Sequence, residues 1–164
     1  MEELVCKIGN AKEFSNNEIS DFKKIVIEAG EVSSETFDGL ISKNPILLFY
    51  PETSNIKAVG ALKLPNDSYK KSVFEKSKSR VNMDSYEFEL GWIVCLNEEK
   101  GIGQKITKAL ATYKPNQYAT VRKENAKMNH ILQKFGFKQV GKPYKSNRGD
   151  YENNLYIKDD STDK

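Results

Sequence analysis

A chain of 164 residues, 38% hydrophobic and 30% charged, is long enough to fold as one domain around its own core and too polar for an integral membrane protein. Its net charge of +3 suits an anionic ligand but is too small to argue for nucleic acid. Cys6 and Cys95 sit inside apolar runs without a partner at metal-ligand or redox spacing, so two buried thiols in a reducing compartment are expected.

The opening MEELVCKIGN is acidic and lacks the apolar core of a signal peptide. No apolar run approaches the roughly 20 residues of a membrane span, so a cytoplasmic protein is expected. LVCKI reads as a first strand. Asn16 or Asn17 is placed to cap a helix over NEISDFKKIVIEA, with Ile19, Phe22 and Ile25 or Ile27 inward and Gly30 as its stop. Ser33 or Ser34 caps a second helix through Ile41, whose apolar stripe is Phe37, Leu40 and Ile41. PILLFY and IKAVGALKL are strands joined by the turn PETSN.

DSYKKSVFEKSKSR reads as a short helix with Tyr69, Val73 and Phe74 inward and its lysines outward. SYEFELGWIVCL is the most strand-like segment. GQKITKALATY is a helix, with Ile102, Ile106, Ala109, Leu110 and Tyr113 on one stripe and Pro115 beyond its end. YATVR is a strand, and Asn125 opens a helix through Phe135 that turns Met128, Ile131, Leu132 and Phe135 inward and stops at Gly136. KQVGKPY and ENNLYIK complete an α/β (α+β) chain: one mixed sheet flanked by about four helices. Residues 1–159 form a single domain, and 160–164 form a flexible tail.

The stretch between the central strand and the following helix, NEEKGIGQK, carries the chemistry. Gly101 and Gly103 let a backbone approach an anion with positive φ, and the first turn of the helix supplies free N–H groups and a favourable dipole. Lys100 and Lys105 add positive potential. A dinucleotide fingerprint needs a third small residue where Ile106 stands, although Glu124 lies at a distance fit for a ribose contact. GFKQVGKP approaches a P-loop, but Pro143 replaces the hydroxyl that would meet Mg²⁺, and the segment follows a helix.

ELGWIVCLNEEKGIGQKI resembles the motif of the GNAT superfamily of acyl-CoA N-acyltransferases that runs from strand through [QR]-x-x-G-x-[GA] to helix. VRKENAKMNHILQKFGF is similar to a second segment of that family, with Asn125 and Gly136–Phe137 in register. Glu98 departs from the pattern where Gln or Arg is usual, and Leu132 stands where many members carry a tyrosine that protonates the departing thiolate. The resemblance implies a mostly antiparallel sheet with a splayed central parallel pair, and acetyl-CoA lying between strands that end near Cys95 and Arg122. The splay would come from a β-bulge that frees amides around Ile93, Val94 and Cys95 for the pantetheine and the thioester carbonyl. One such oxyanion donor typically contributes about 3–4 kcal/mol. The pyrophosphate would lie on Lys100, Gly101, Ile102, Gly103, Gln104 and Lys105, and Asn125 would cap its helix and bond the pantetheine. No metal is implied.

An acceptor ammonium must lose a proton before attack, and Glu87 and Glu89 share one face of the strand. Glu89, nearer the glycine loop, is the candidate base. Tyr144 and Tyr86 are the candidate acids, and His130 falls off the buried stripe and is expected at the surface. Trp92 is either the floor of an acceptor pocket or a core residue. The expected activity is acetyl transfer from acetyl-CoA to a primary amine of a small molecule, peptide or protein, by a monomer or homodimer without a membrane partner. The alternatives are a nucleic-acid-modifying acyltransferase or toxin, which would use the basic run Lys70, Lys71, Lys76, Lys78 and Arg80, and a non-catalytic acyl-CoA-binding module.

Overall fold

A computed structural model describes residues 5–52, 55–96 and 100–159. Glu98, the middle of the PETSN turn and the 160–164 tail lie outside the described residues. The seven strands are β1 (Lys7–Asn10), β2 (Ile46–Tyr50), β3 (Ala58–Lys63), β4 (Phe88–Cys95), β5 (Gln117–Arg122), β6 (Lys138–Lys145) and β7 (Glu152–Lys158). The helices are α1 (Asn16–Glu28), α2 (Ser34–Ile41), α3 (Asp67–Lys76), α4 (Ile102–Tyr113) and α5 (Ala126–Lys134). The strands form one mixed sheet in the order β1-β2-β3-β4-β5-β7-β6. β1–β2, β2–β3, β5–β7 and β6–β7 pair antiparallel, and β4–β5 pair parallel at Phe88–Gln117 and Glu89–Tyr118. With the segment 67–76 the described residues hold five α-helices where about four were expected.

Two compact units divide the chain: residues 1–64 with 91–110, and residues 65–90 with 111–164. In the first, Phe22 and Val26 of α1 and Phe37 and Leu40 of α2 meet Leu47, Phe49, Val59, Ala61 and Trp92. Trp92 stacks on Phe37 at 5.1 Å between ring centroids, so it is a core residue. Its φ of 52° interrupts the regular extended backbone of β4, the local kink that a bulge makes. α1 is capped by Ser15 rather than Asn16 or Asn17: the Ser15 Oγ accepts from Glu18 N, and the Glu18 carboxylate accepts from Ser15 N. Only the residue that keeps extended φ/ψ ahead of the first turn can close that reciprocal pair.

α4 buries Ile102, Ile106 and Leu110 as expected, and with them Thr107 and Ala111. At 100° per residue Tyr113 falls between Ile102 and Ile106 on the wheel, yet at the last turn it is 41% exposed. A methyl group on Gly60 would stand 2.8 Å from Leu110 Cδ1, so the glycine lets α4 lie close on β3.

The second unit is built on Val73 and Phe74 of α3 with Tyr86, Tyr118, Tyr144, Leu155 and Ile157. Lys70, expected to face outward, is buried, with its ammonium 5.9 Å from the centroid of the Tyr118 ring. An ammonium gains from an aromatic face, and its aliphatic stem covers apolar surface. α5 follows the sequence reading: Ile131 and Leu132 are buried, His130 is exposed, and Gly136 ends it at φ 94°. Gly141, in the false P-loop match, lies at φ 67° in the register shift of β6 between Val140 and Tyr144.

Candidate functional site

The residues expected to carry the chemistry fall in two places, and β4 contributes to both. The first is the head of α4. Gly101 has φ 87°, and among the described residues nothing lies within 4 Å of where a Cβ would project from it. The amide of Lys105 closes the first helical bond on the Gly101 carbonyl at 2.9 Å. A helix leaves its first amides without an intrahelical acceptor, and here that turn opens with Ile102 and Gly103. Gly103 is an ordinary helical residue of that turn, not a second residue of positive φ.

Lys105 is half-buried, with its ammonium 5.0 Å from the Tyr50 ring centroid at the end of β2. It also acts on Cys6, whose thiol is raised by burial and drawn back by the Lys105 charge. Lys100 is exposed, and Ile93 and Val94 are half-buried. Cys95, expected to be buried, is exposed at the end of β4, and Cys6 is half-buried ahead of β1. Both thiols belong to apolar runs that continue past the covered part of the sheet, which is why composition misplaces them.

The second place is a carboxylate among tyrosines. Glu89 is 2% exposed, and Glu87, its counterpart on the same expected face, is exposed just ahead of the strand. Tyr69 donates its hydroxyl hydrogen to Glu89 Oε2 at 2.9 Å. Tyr69, expected to face inward, is 43% exposed, and its hydroxyl also interacts with the side chain of Thr120. Thr120 bonds the hydroxyl of Tyr144 in turn, and Asn153 bonds it as well. Tyr118 is the ladder partner of Glu89, and its buried hydroxyl has no hydrogen-bond partner among the described residues. Burial first, and the Glu89 charge second, push Tyr69, Tyr118 and Tyr144 above the ordinary phenol range, so these hydroxyls stay protonated.

Of the two candidate acids, Tyr144 belongs to this group. Tyr86 donates to Asp159 at 2.7 Å instead, and burial together with that bond raises it to about 12. Asn125 caps α5, its side-chain oxygen accepting from Met128 N at 3.1 Å. Tyr69 and Tyr118 were missed as site residues. The parallel register that sets Tyr118 opposite Glu89 has no signature in either strand, and Tyr69 reaches the carboxylate from a helix twenty residues away in sequence. Among the described residues no group of three or more His, Cys, Asp or Glu side chains is placed to hold a metal. No helix among them is long and apolar enough to cross a membrane.

No protein-family model matches this sequence, and no curated protein matches it either. Solved structures do. A GNAT-family acetyltransferase from Bacillus cereus shares 9% identity at a TM-score of 0.62, covering 94% of this chain and 97% of its own. An acyl-CoA N-acyltransferase from Pseudomonas aeruginosa shares 14% at 0.64, covering 95% and 99%. The AHL synthase LasI shares 14% at 0.69, covering 96% and 90%. The chain therefore has the GNAT fold.

Proposed function

We propose that this protein is an acyl-CoA-dependent N-acyltransferase that moves an acetyl group from acetyl-CoA to a primary amine. The observation that carries the reading is the open, positive-φ Gly101 at the head of α4, on a fold shared with acyl-CoA N-acyltransferases. A diphosphate suits this place: the first-turn amides of Ile102 and Gly103 and the helix dipole favour an anion, and among the described residues nothing lies within 4 Å of a Cβ built on Gly101. Lys100 and Lys105 supply the countercharge. Bound acetyl-CoA would contribute an activated acyl group on a thioester.

The residues of β4 then divide the work. Main-chain donors between Ile93 and Cys95 would bond the thioester carbonyl where negative charge develops. Glu89 would take the proton of the acceptor ammonium, directly or through one water, so that a neutral amine attacks. A C–N bond forms and the C–S bond breaks. A thiol ionises near pH 8.5, so the departing thiolate is a good leaving group and needs no strong acid. The burial of Leu132 in the core is thus compatible with turnover, and Tyr144 is the hydroxyl left to return a proton.

Isothermal titration with acetyl-CoA and with dethio-CoA tests the first half of this reading, and a mass-spectrometric screen of primary amines tests the second. Saturable binding with acetyl transfer to at least one amine is expected. No binding of either ligand would overturn the reading, and binding without transfer to any amine would leave an acyl-CoA-binding module.

A further inference from the structure

On the reading just given, the geometry points to an acceptor of a particular class: we propose that it is an amine carrying an anionic group, a carboxylate or a phosphate, held by Lys76 and Lys145. A cavity of about 420 Å3 lies in the second unit, lined by Lys76, Tyr144, Lys145, Ser146 and Asn147. Its walls hold two ammonium groups and polar side chains. Lys76 Nζ is oriented by the side-chain oxygen of Asn147. Lys145 Nζ stands 3.5 Å from Asp150 Oδ1 in a pair exposed by 75% and 98%. Exposed pairs of this kind are worth about 0–1 kcal/mol, so an incoming anion can compete for Lys145. Asp150 is the one carboxylate in contact with either lysine among the interactions the structure describes, and the balance at the cavity stays positive.

The cavity is a formed feature. Ser146 N donates to the Tyr151 carbonyl at 2.9 Å and Arg148 N to Ser146 Oγ at 3.0 Å, which fixes the turn between β6 and β7. Lys142 N donates to the Ser77 carbonyl at 2.7 Å and ties β6 to the end of α3, so Lys76 and Lys145 face one space.

Tyr144 joins this cavity to the carboxylate. It forms one wall, and its hydroxyl belongs to the chain of hydrogen bonds from Thr120 and Tyr69 to Glu89. On this proposal the ammonium end of the acceptor faces Glu89, and an anion several bonds away lies against the lysines. A neutral amine would leave both ammonium groups to water and gain nothing from the cavity.

The test uses matched probes: 5-aminopentanoate and 3-aminopropyl phosphate against pentylamine and propylamine. Affinities are read by chemical-shift titration of the full-length protein, with and without saturating CoA, so that the answer does not depend on turnover. At least a tenfold preference for the anionic member of a pair is expected, lost in the K76Q/K145Q double variant while CoA affinity stays within twofold. Preference for aminopentanoate alone identifies a carboxylate, and for aminopropyl phosphate alone a phosphate. Equal affinities within both pairs, or a preference that survives the double substitution, would overturn the proposal. Those results would leave acyl transfer standing if CoA still binds and any amine is acetylated. Failure of CoA to bind would remove the acyltransferase reading while the anion preference is still measured on its own.

Discussion

Replacing Gly141 by alanine separates a steric contact from backbone strain. A Cβ on Gly141 would stand 2.3 Å from the Ser77 carbonyl oxygen, 3.0 Å from its carbonyl carbon and 3.1 Å from Ser79 N. All three are backbone atoms, so no side chain can rotate away, and β6 must move by roughly 1 Å from the end of α3 to restore ordinary contact. That movement lengthens the 2.7 Å bond from Lys142 N to Ser77 O. A left-handed backbone costs an L-residue about 1–2 kcal/mol, the lost bond about 1, and overpacking about 1–3, which together amount to about 3–6 kcal/mol. Gly30 provides the control: its φ is 77°, but nothing lies within 4 Å of the added methyl, so Gly30→Ala costs only the strain of about 1–2 kcal/mol. Urea denaturation followed by circular dichroism should show Gly141→Ala at least about 2 kcal/mol below Gly30→Ala with the same m-value. Equal midpoints for the two variants would show that β6 does not lie on the α3 terminus as described.

Gly103→Glu brings a side chain and a negative charge to the head of α4, and titration should show acetyl-CoA affinity reduced by at least about 100-fold. Unchanged affinity would refute the phosphate assignment. Glu89→Gln keeps the volume and an acceptor for Tyr69 but removes the base; turnover should fall by roughly 100-fold or more while CoA affinity stays within twofold. Equal loss of both would make the residue structural. Alkaline stability has a defined sign: Tyr86, Tyr118 and Tyr144 are raised in the fold, so the unfolded chain releases their protons first. Stability is whole below the free phenol value of about 10 and falls as pH rises toward 12, by up to about 1.4 kcal/mol per pH unit for each enclosed hydroxyl. Urea midpoints at pH 8, 9.5 and 11 measure this, and a flat profile contradicts the enclosure of the tyrosines. Ser15→Ala removes the α1 cap and should cost about 1 kcal/mol in the same assay, with no cost expected from Asn16→Ala.

Most of the fold was legible in the sequence because its elements are marked locally. Ser33 precedes an apolar stripe, Gly136 and Pro115 follow theirs, and the alternation through Phe88–Leu90 declares a strand. Glycine spacing at 101 and 103 pointed to the head of α4 for the same reason. The errors lie where tertiary contacts override local pattern. Tyr113 shares the face of Ile102 and Ile106, but it is the last residue of α4 and stands exposed. Lys70 reads as a solvated lysine until an aromatic ring lies beside it. The Glu89 group was half legible: a carboxylate on the central strand can be picked out, but Tyr69, Tyr118 and Tyr144 come from α3, β5 and β6, and only the register of the sheet assembles them.

The placement of Trp92 gives the molecule its own optical probe. It is the sole tryptophan, it is shielded by the rings of Phe22 and Phe37, and it reports on the first unit alone. Seven of the eight tyrosines, Tyr86, Tyr118 and Tyr144 among them, belong to the second and dominate the phenol absorbance. Emission and absorbance recorded in one melt can therefore reveal whether the two halves come apart together, and curves that fail to coincide would expose a half-melted species without any label having been added.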